Sequence, residues 1–124
     1  MKNKLLAALM LCVFSIGAIA ADSTYMIEDL YAKNIELQGT KVIVTGKVIK
    51  VSSAIMGKDW VQIQDTSKNP EMNKVFFTGP MDKSGVNIGD NVTATGTLKI
   101  NVDLGSGYFY KVLVEDSTFK KLHK

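Results

Sequence analysis

The chain has 124 residues, 15 basic against 12 acidic groups, and a single His and a single Cys. That length holds one domain around one core. All basic residues are Lys, and with Lys2 and Lys4 set aside the balance is near +1, so net charge alone does not announce a polyanion partner.

Lys2 and Lys4, the apolar run that follows, and Ala18-Ile19-Ala20 ahead of the polar ADST read as a secretory signal peptide cleaved after Ala20, with Ala21 as the other choice. The uninterrupted apolar part is short for a membrane span. Cys12 follows Leu11, not the small residue a lipoprotein site needs, and falls inside the leader. The mature protein is therefore expected in the periplasm or outside the cell, with no integral membrane span. It has no cysteine for a disulfide, a thiolate metal site or a nucleophile. The expected divisions are 1–20 signal peptide, 21–40 N-terminal helix and lead-in, 41–118 barrel and 119–124 tail.

Met26, Ile27, Leu30 and Tyr31 fall at helical spacing, so residues 24–33 read as a short helix with Thr24 as its cap. Everything after Gly39 reads as strand and turn. In KVIVTGKVIKVS, Val42 and Val44 share one parity and Ile49 and Val51 the other, which predicts a bulge near Gly46 that keeps both pairs inside. In DWVQIQD, Val61 and Ile63 point inward and Trp60, Gln62 and Gln64 outward. After the loop at 66–74, VFFT is a third strand closed by Gly79-Pro80. Val92, Ala94, Leu98, Ile100 and Val102 alternate with polar residues around Gly96, and the LGSG turn leads into YFYKVLVED.

Five strands in about 80 residues, two of them long and bent at Gly, predict an all-β fold: a five-stranded Greek-key OB-type barrel with a short N-terminal helix. An SH3-like barrel or a small sandwich is the structural rival.

The blocks GKVIKVSSAIMGKDWVQIQD and GSGYFYKVLVED, with GDNVTATG between them, resemble the small exported bacterial OB-fold proteins described as nucleic-acid-binding-like, over residues 24–118. The loop TSKNPEMNK departs from the Gly-rich loop usual there. The resemblance implies the same barrel in a single domain after a signal peptide, and a ligand on the outer face of strands two and three and on the flanking loops.

That surface predicts ligand-binding residues Lys58, Trp60, Gln62, Gln64 and Phe109, with Tyr108 and Tyr110 in support, because aromatics stack on bases or sugar rings, amides read polar edges and Lys meets phosphate. Tyr108, Tyr110, Val112 and Val114 share a parity that predicts an inward face, with Phe109, Lys111 and Glu115 outward. Two readings of Trp60 stand side by side: a ligand platform, or a lid folded over Ile55 and Met56 with Tyr108 or Tyr110. Lys47, Lys50, Lys58, Lys99 and Lys111 would form a basic stripe, but Asp59, Asp65, Asp103 and Glu115 lie among them, so a mixed solvated surface is expected. The lack of Arg argues against bidentate base or phosphate contacts.

Lone His123 near the terminus and the methionines Met56, Met72 and Met81 do not make a metal or haem site, and no cofactor is expected. MGK lacks the upstream Gly of a phosphate loop. No nucleophile has a placed base, and the pairs Glu28-Asp29 and Glu115-Asp116 point apart, so the chain is expected not to be an enzyme. The function expected is an exported binding module, with single-stranded nucleic acid, a glycan or another oligomer as ligand. The alternative is a protein-interaction or envelope-accessory module docking a cell-envelope partner through Ile55, Met56 and Gly57.

Overall fold

A computed structural model describes residues 23–122, so the expected leader with Cys12, the expected cleavage site and His123 lie outside the described residues. Within them the fold is all-β with two short helices: β1 (Ser23–Thr24), α1 (Ile27–Ala32), α2 (Asn34–Leu37), β2 (Lys41–Ile55), β3 (Lys58–Gln64), β4 (Lys74–Pro80), β5 (Asn91–Gly105) and β6 (Tyr108–Lys121). The strands form one sheet in the order β1-β2-β3-β4-β6-β5, and β2 pairs with β5 as well, so the hydrogen bonds make a ring. Four of the ring's contacts are antiparallel; β4 meets β6 in parallel, at Phe77 and Val114.

Besides the short β1, strand β2 serves two neighbours in the ring. Lys41–Lys47 pair with β5 and Lys47–Ile55 with β3. The change of partner happens at Gly46, where an added Cβ would stand 2.5 Å from the Gln64 carbonyl oxygen and 2.7 Å from Ile63 Cγ2. Only a residue without a side chain lets the two backbones approach so closely. The expected bulge lies elsewhere. Val42, Val44 and Val48 are all fully buried, so alternation passes unbroken through Gly46. The ladder slips between Val48 and Lys50, making Ile49 the extra residue, after which Val51 packs on the core. Ile49 is accordingly half-buried, and Val48 takes the inward place expected for it.

The helix is shorter than expected, and Thr24 does not cap it. Thr24 belongs to β1 opposite Ile43, and the residue at the N-cap, Met26, has no side-chain oxygen to offer. The loop after β3 supplies the acceptors: Asp65 Oδ2 accepts from the Ile27 amide at 2.7 Å and Ser67 Oγ from the Glu28 amide at 3.1 Å. These are two of the amides a helix leaves without internal partners. Ile27 and Leu30 are then buried in the core, and the Tyr31 hydroxyl donates to the Lys74 carbonyl at 2.9 Å. On β5, Val92, Ala94 and Leu98 are buried as the alternation predicts. Strand β6 runs on to Lys121, with Ala94 opposite Phe119 and Val92 opposite Lys121. No described helix is long and apolar enough to cross a membrane.

Gly46→Ala forces a methyl group onto the Gln64 backbone. We expect a loss of about 1–3 kcal/mol of stability, read as a lower urea midpoint by Trp60 fluorescence.

Candidate functional site

Strand β3 alternates as the sequence predicts, with Val61 and Ile63 in the core and Trp60, Gln62 and Gln64 on the opposite face. Strand register extends that face over three strands. Lys47 and Lys74 flank Gln64, Lys50 and Phe76 flank Gln62, and Ser52 and Thr78 flank Trp60. Directly paired residues share a face, so these nine positions carry three lysines and no carboxylate.

Two of the four acids expected to interrupt the lysines, Asp59 and Asp65, are held by backbone amides. Asp65 caps α1 and also accepts from the Ser67 amide at 2.9 Å. Asp59, opposite Gly79, has the parity of Val61, points away from the lysine face and is only 2% exposed. Its Oδ1 accepts from the Asp82 amide at 3.1 Å and its Oδ2 from the Ser84 amide at 3.5 Å. Burial alone raises its pKa, but hydrogen bonds from the Asp82 amide, the Ser84 hydroxyl and amide and the Ala54 amide outweigh burial and hold the carboxyl below its ordinary value. One carboxylate thereby braces the turn after β2 against the loop after β4.

Two hairpin tips overhang the Trp60 end of the face. Ile55 pairs with Lys58 across Met56 and Gly57, whose φ angles of +54° and +74° make a two-residue turn with both residues left-handed. The second position suits Gly; a bulky Met at the first is uncommon, and such outliers concentrate at functional sites. The β5–β6 tip repeats the geometry with Ser106 and Gly107 between Gly105 and Tyr108. Each hairpin carries a register slip just before its turn, between Ser52 and Ile55 and between Asp103 and Gly105. Such slips re-aim side chains, and Ile55 and Leu104, beside them, both line the gap between the tips.

Trp60 is packed into this arrangement. Its indole N–H donates to the Ile55 carbonyl at 2.9 Å, and its ring lies 5.9 Å from Phe76, edge to face, and 5.6 Å from Tyr110. Phe76 and Tyr110 meet edge to face at 5.8 Å, closing an aromatic triangle. Trp60 is 6% exposed although it stands on the face opposite the core. Between the tips remains a groove of about 250 Å³, lined by this triangle with Ile55, Met56, Leu104 and Tyr108, and by Lys50 and Ser52 as its polar members. At the Gln64 end lies a wider groove of about 520 Å³, lined by Met26, Thr45, Gly46, Lys47, Gln64, Asp65, Thr66 and Asn91.

Of the residues singled out in the sequence, Ile55, Met56, Trp60, Tyr108 and Tyr110 meet around the smaller groove. Gln62 and Gln64 share the lysine face, and Gln64 reaches the wider groove. Gly57 shapes the turn but does not line the groove. Lys58 stands opposite Ile55 and Pro80, outside both grooves. Phe109 is exposed opposite Asp103 and joins neither groove. Tyr108 corrects an expectation: it lies beyond the end of the core and is 58% exposed, whereas Val112 and Val114 of the same parity are buried. Sequence reasoning missed Phe76, Leu104, Ser52 and Lys74. Alternation in VFFT could have flagged Phe76, since Phe77 is the inward partner of Val61. The slip that sets Leu104 leaves no mark in composition.

No protein-family model matches this chain, and no curated protein matches it.

Asp59 tests the brace. A carboxyl held below its unfolded value near 3.8 contributes stability that is complete above that value and is lost as pH falls through the depressed folded one. Asp59→Asn, which turns an amide toward amide donors, should cost about 1–3 kcal/mol at neutral pH. Urea midpoints at pH 7 and below pH 4 should show the variant losing less on acidification than the wild type.

Proposed function

We propose that this protein is an exported, non-catalytic binding module of the OB type, with single-stranded nucleic acid as the ligand of the outer face of β3. The observation that carries the reading is the nine-position face of three lysines, two glutamines and no carboxylate. A strand of phosphates needs cations spaced along a groove, amides to meet sugar and base edges, and an aromatic surface, all without opposing negative charge. Lys47, Lys50 and Lys74 supply the first, Gln62 and Gln64 the second, and Phe76 with Tyr108 and Tyr110 the third.

The OB assignment draws on the ring β2-β3-β4-β6-β5, on the narrow parallel contact between β4 and β6, and on the two hairpin tips beside the face, matching a partly open five-stranded barrel that binds through its second and third strands and adjoining loops. Export follows from the leader, with its basic start, apolar run and Ala18-Ile19-Ala20.

One observation favours a second reading. Ile55 and Met56 are exposed at one tip, with Met81 also exposed just after β4, an apolar cluster of the kind that docks a protein partner in the cell envelope.

Anisotropy titrations with labelled oligothymidylate over a range of salt separate the two. Electrostatic binding gives a log–log salt slope that falls by about 0.7 for each lysine removed, so Lys47→Ala, Lys50→Ala and Lys74→Ala should each flatten it and Lys120→Ala should not. Binding insensitive to all three, or displaced by a neutral glycan, would overturn the nucleic-acid reading; Met56→Asp that abolishes a pulled-down envelope partner while leaving oligothymidylate binding intact would favour docking.

A further inference from the structure

We infer that the face binds its strand at a chain end, with the terminal base held in the small groove between the hairpin tips. The inference rests on the reading of the β3 face as the nucleic-acid surface. That face is open at one end and blocked at the other. At Gln64 it passes into the wider groove, lined by Lys47, Thr66 and Asn91 and also by Asp65, whose carboxylate is held by the Ile27 and Ser67 amides, and that groove leaves room for a chain to continue. At Trp60 it meets the β5–β6 hairpin: Tyr110 lies 5.6 Å from Trp60 and 5.8 Å from Phe76, side chains of the lysine face itself. A residue on an outer face can be 6% exposed only if something covers it, and the covering element here is that hairpin. A strand tracking along Gln64 and Gln62 cannot continue straight past Trp60.

What remains at the blocked end is about 250 Å³. That is below the ~300–1,000 Å³ of pockets that take drug-sized molecules, and it suits one flat ring rather than a run of nucleotides. Its walls are chosen for a ring: Tyr108, more than half exposed, Met56 and Leu104. Trp60 is a wall and not a hydrogen-bonding partner, because its N–H is taken by the Ile55 carbonyl. Lys50 belongs both to the face, opposite Gln62, and to the lining of this groove, so one ammonium group reaches the phosphate next to the held ring. Tyr108 is the stacking residue in this arrangement, with its partner ring entering from the face side.

A circle has no ends. The full protein is titrated with linear and with covalently circularised oligothymidylate of about twenty nucleotides, longer than the ~4–16 that one such domain covers. The linear form should bind about tenfold more tightly, the worth of one stacked base. Tyr108→Ala should cost the line about tenfold more than it costs the circle, so that the variant binds both alike, and Tyr108→Phe should restore the preference. Tyr108 is exposed, and Trp60 emission checks that the variants keep the fold. Equal binding of circle and line, or an equal loss of both in Tyr108→Ala, overturns end recognition while leaving the basic face standing. Failure of both forms to bind overturns the face and this inference together.

Discussion

A single strand that must hydrogen-bond to two different neighbours sets the architecture of this protein. β2 gives its first half to β5 and its second half to β3, and where the partner changes Gly46 lets the strand come close against the Gln64 backbone. The register at that approach decides the rest. It delivers Lys47 opposite Gln64, and the slip at Ile49 then brings Lys50 opposite Gln62 and Ser52 opposite Trp60. A pairing register with β3 shifted by one residue would exchange faces along the whole second half of the strand, because side chains alternate with a period of two. The lysine row would then enter the core and the valines would leave it.

Much of this was legible in the sequence because period-two alternation was clean where one face is buried. Val61 and Ile63 against Trp60, Gln62 and Gln64, and the β5 series from Val92, were assigned their faces correctly. Glycine in the strand marked a special position but not the expected bulge: at Gly46 the structure needs close approach, and the extra residue that changes parity is the β-branched Ile49, which carries no turn signal. The site was legible by composition and not by contact. Trp60 was placed on the proper face, yet its burial depends on Tyr110 arriving from a hairpin fifty residues along the chain. Thr24 looked like a helix cap because nothing local competes for that role, whereas the acceptors come from Asp65 and Ser67 across the fold.

The electrostatic character of the surface is also a product of folding. Net charge near zero suggested a mixed surface, and that inference assumed that acids between lysines in sequence stay between them in space. Asp59 and Asp65 do not. Each turns its carboxylate to backbone amides, one at the hairpin turn and one at the start of α1, where such groups are stabilised by N–H donors and by the helix dipole. The same two residues therefore tie loops to strands and leave Lys47, Lys50 and Lys74 with no carboxylate directly opposite them on β3, although Asp65 and Lys47 line one groove. Local net charge is decided by which acids have amides to hold, a quantity that composition does not contain.

The ring also governs how the chain reaches its native state. The hairpins β2–β3 and β5–β6 are closed by two-residue turns and form from neighbours in sequence, but the pairing that joins them links 41–47 with 91–97, about fifty residues apart. Contacts so distant must be assembled against loop-closure entropy before they return any stability, and folds dominated by them complete in milliseconds to seconds rather than microseconds. The parallel meeting of Phe77 and Val114, the narrowest join in the ring, bridges two units that can each form early. With one residue pair in its ladder, that join is held by the packing of two fully buried side chains more than by backbone hydrogen bonds.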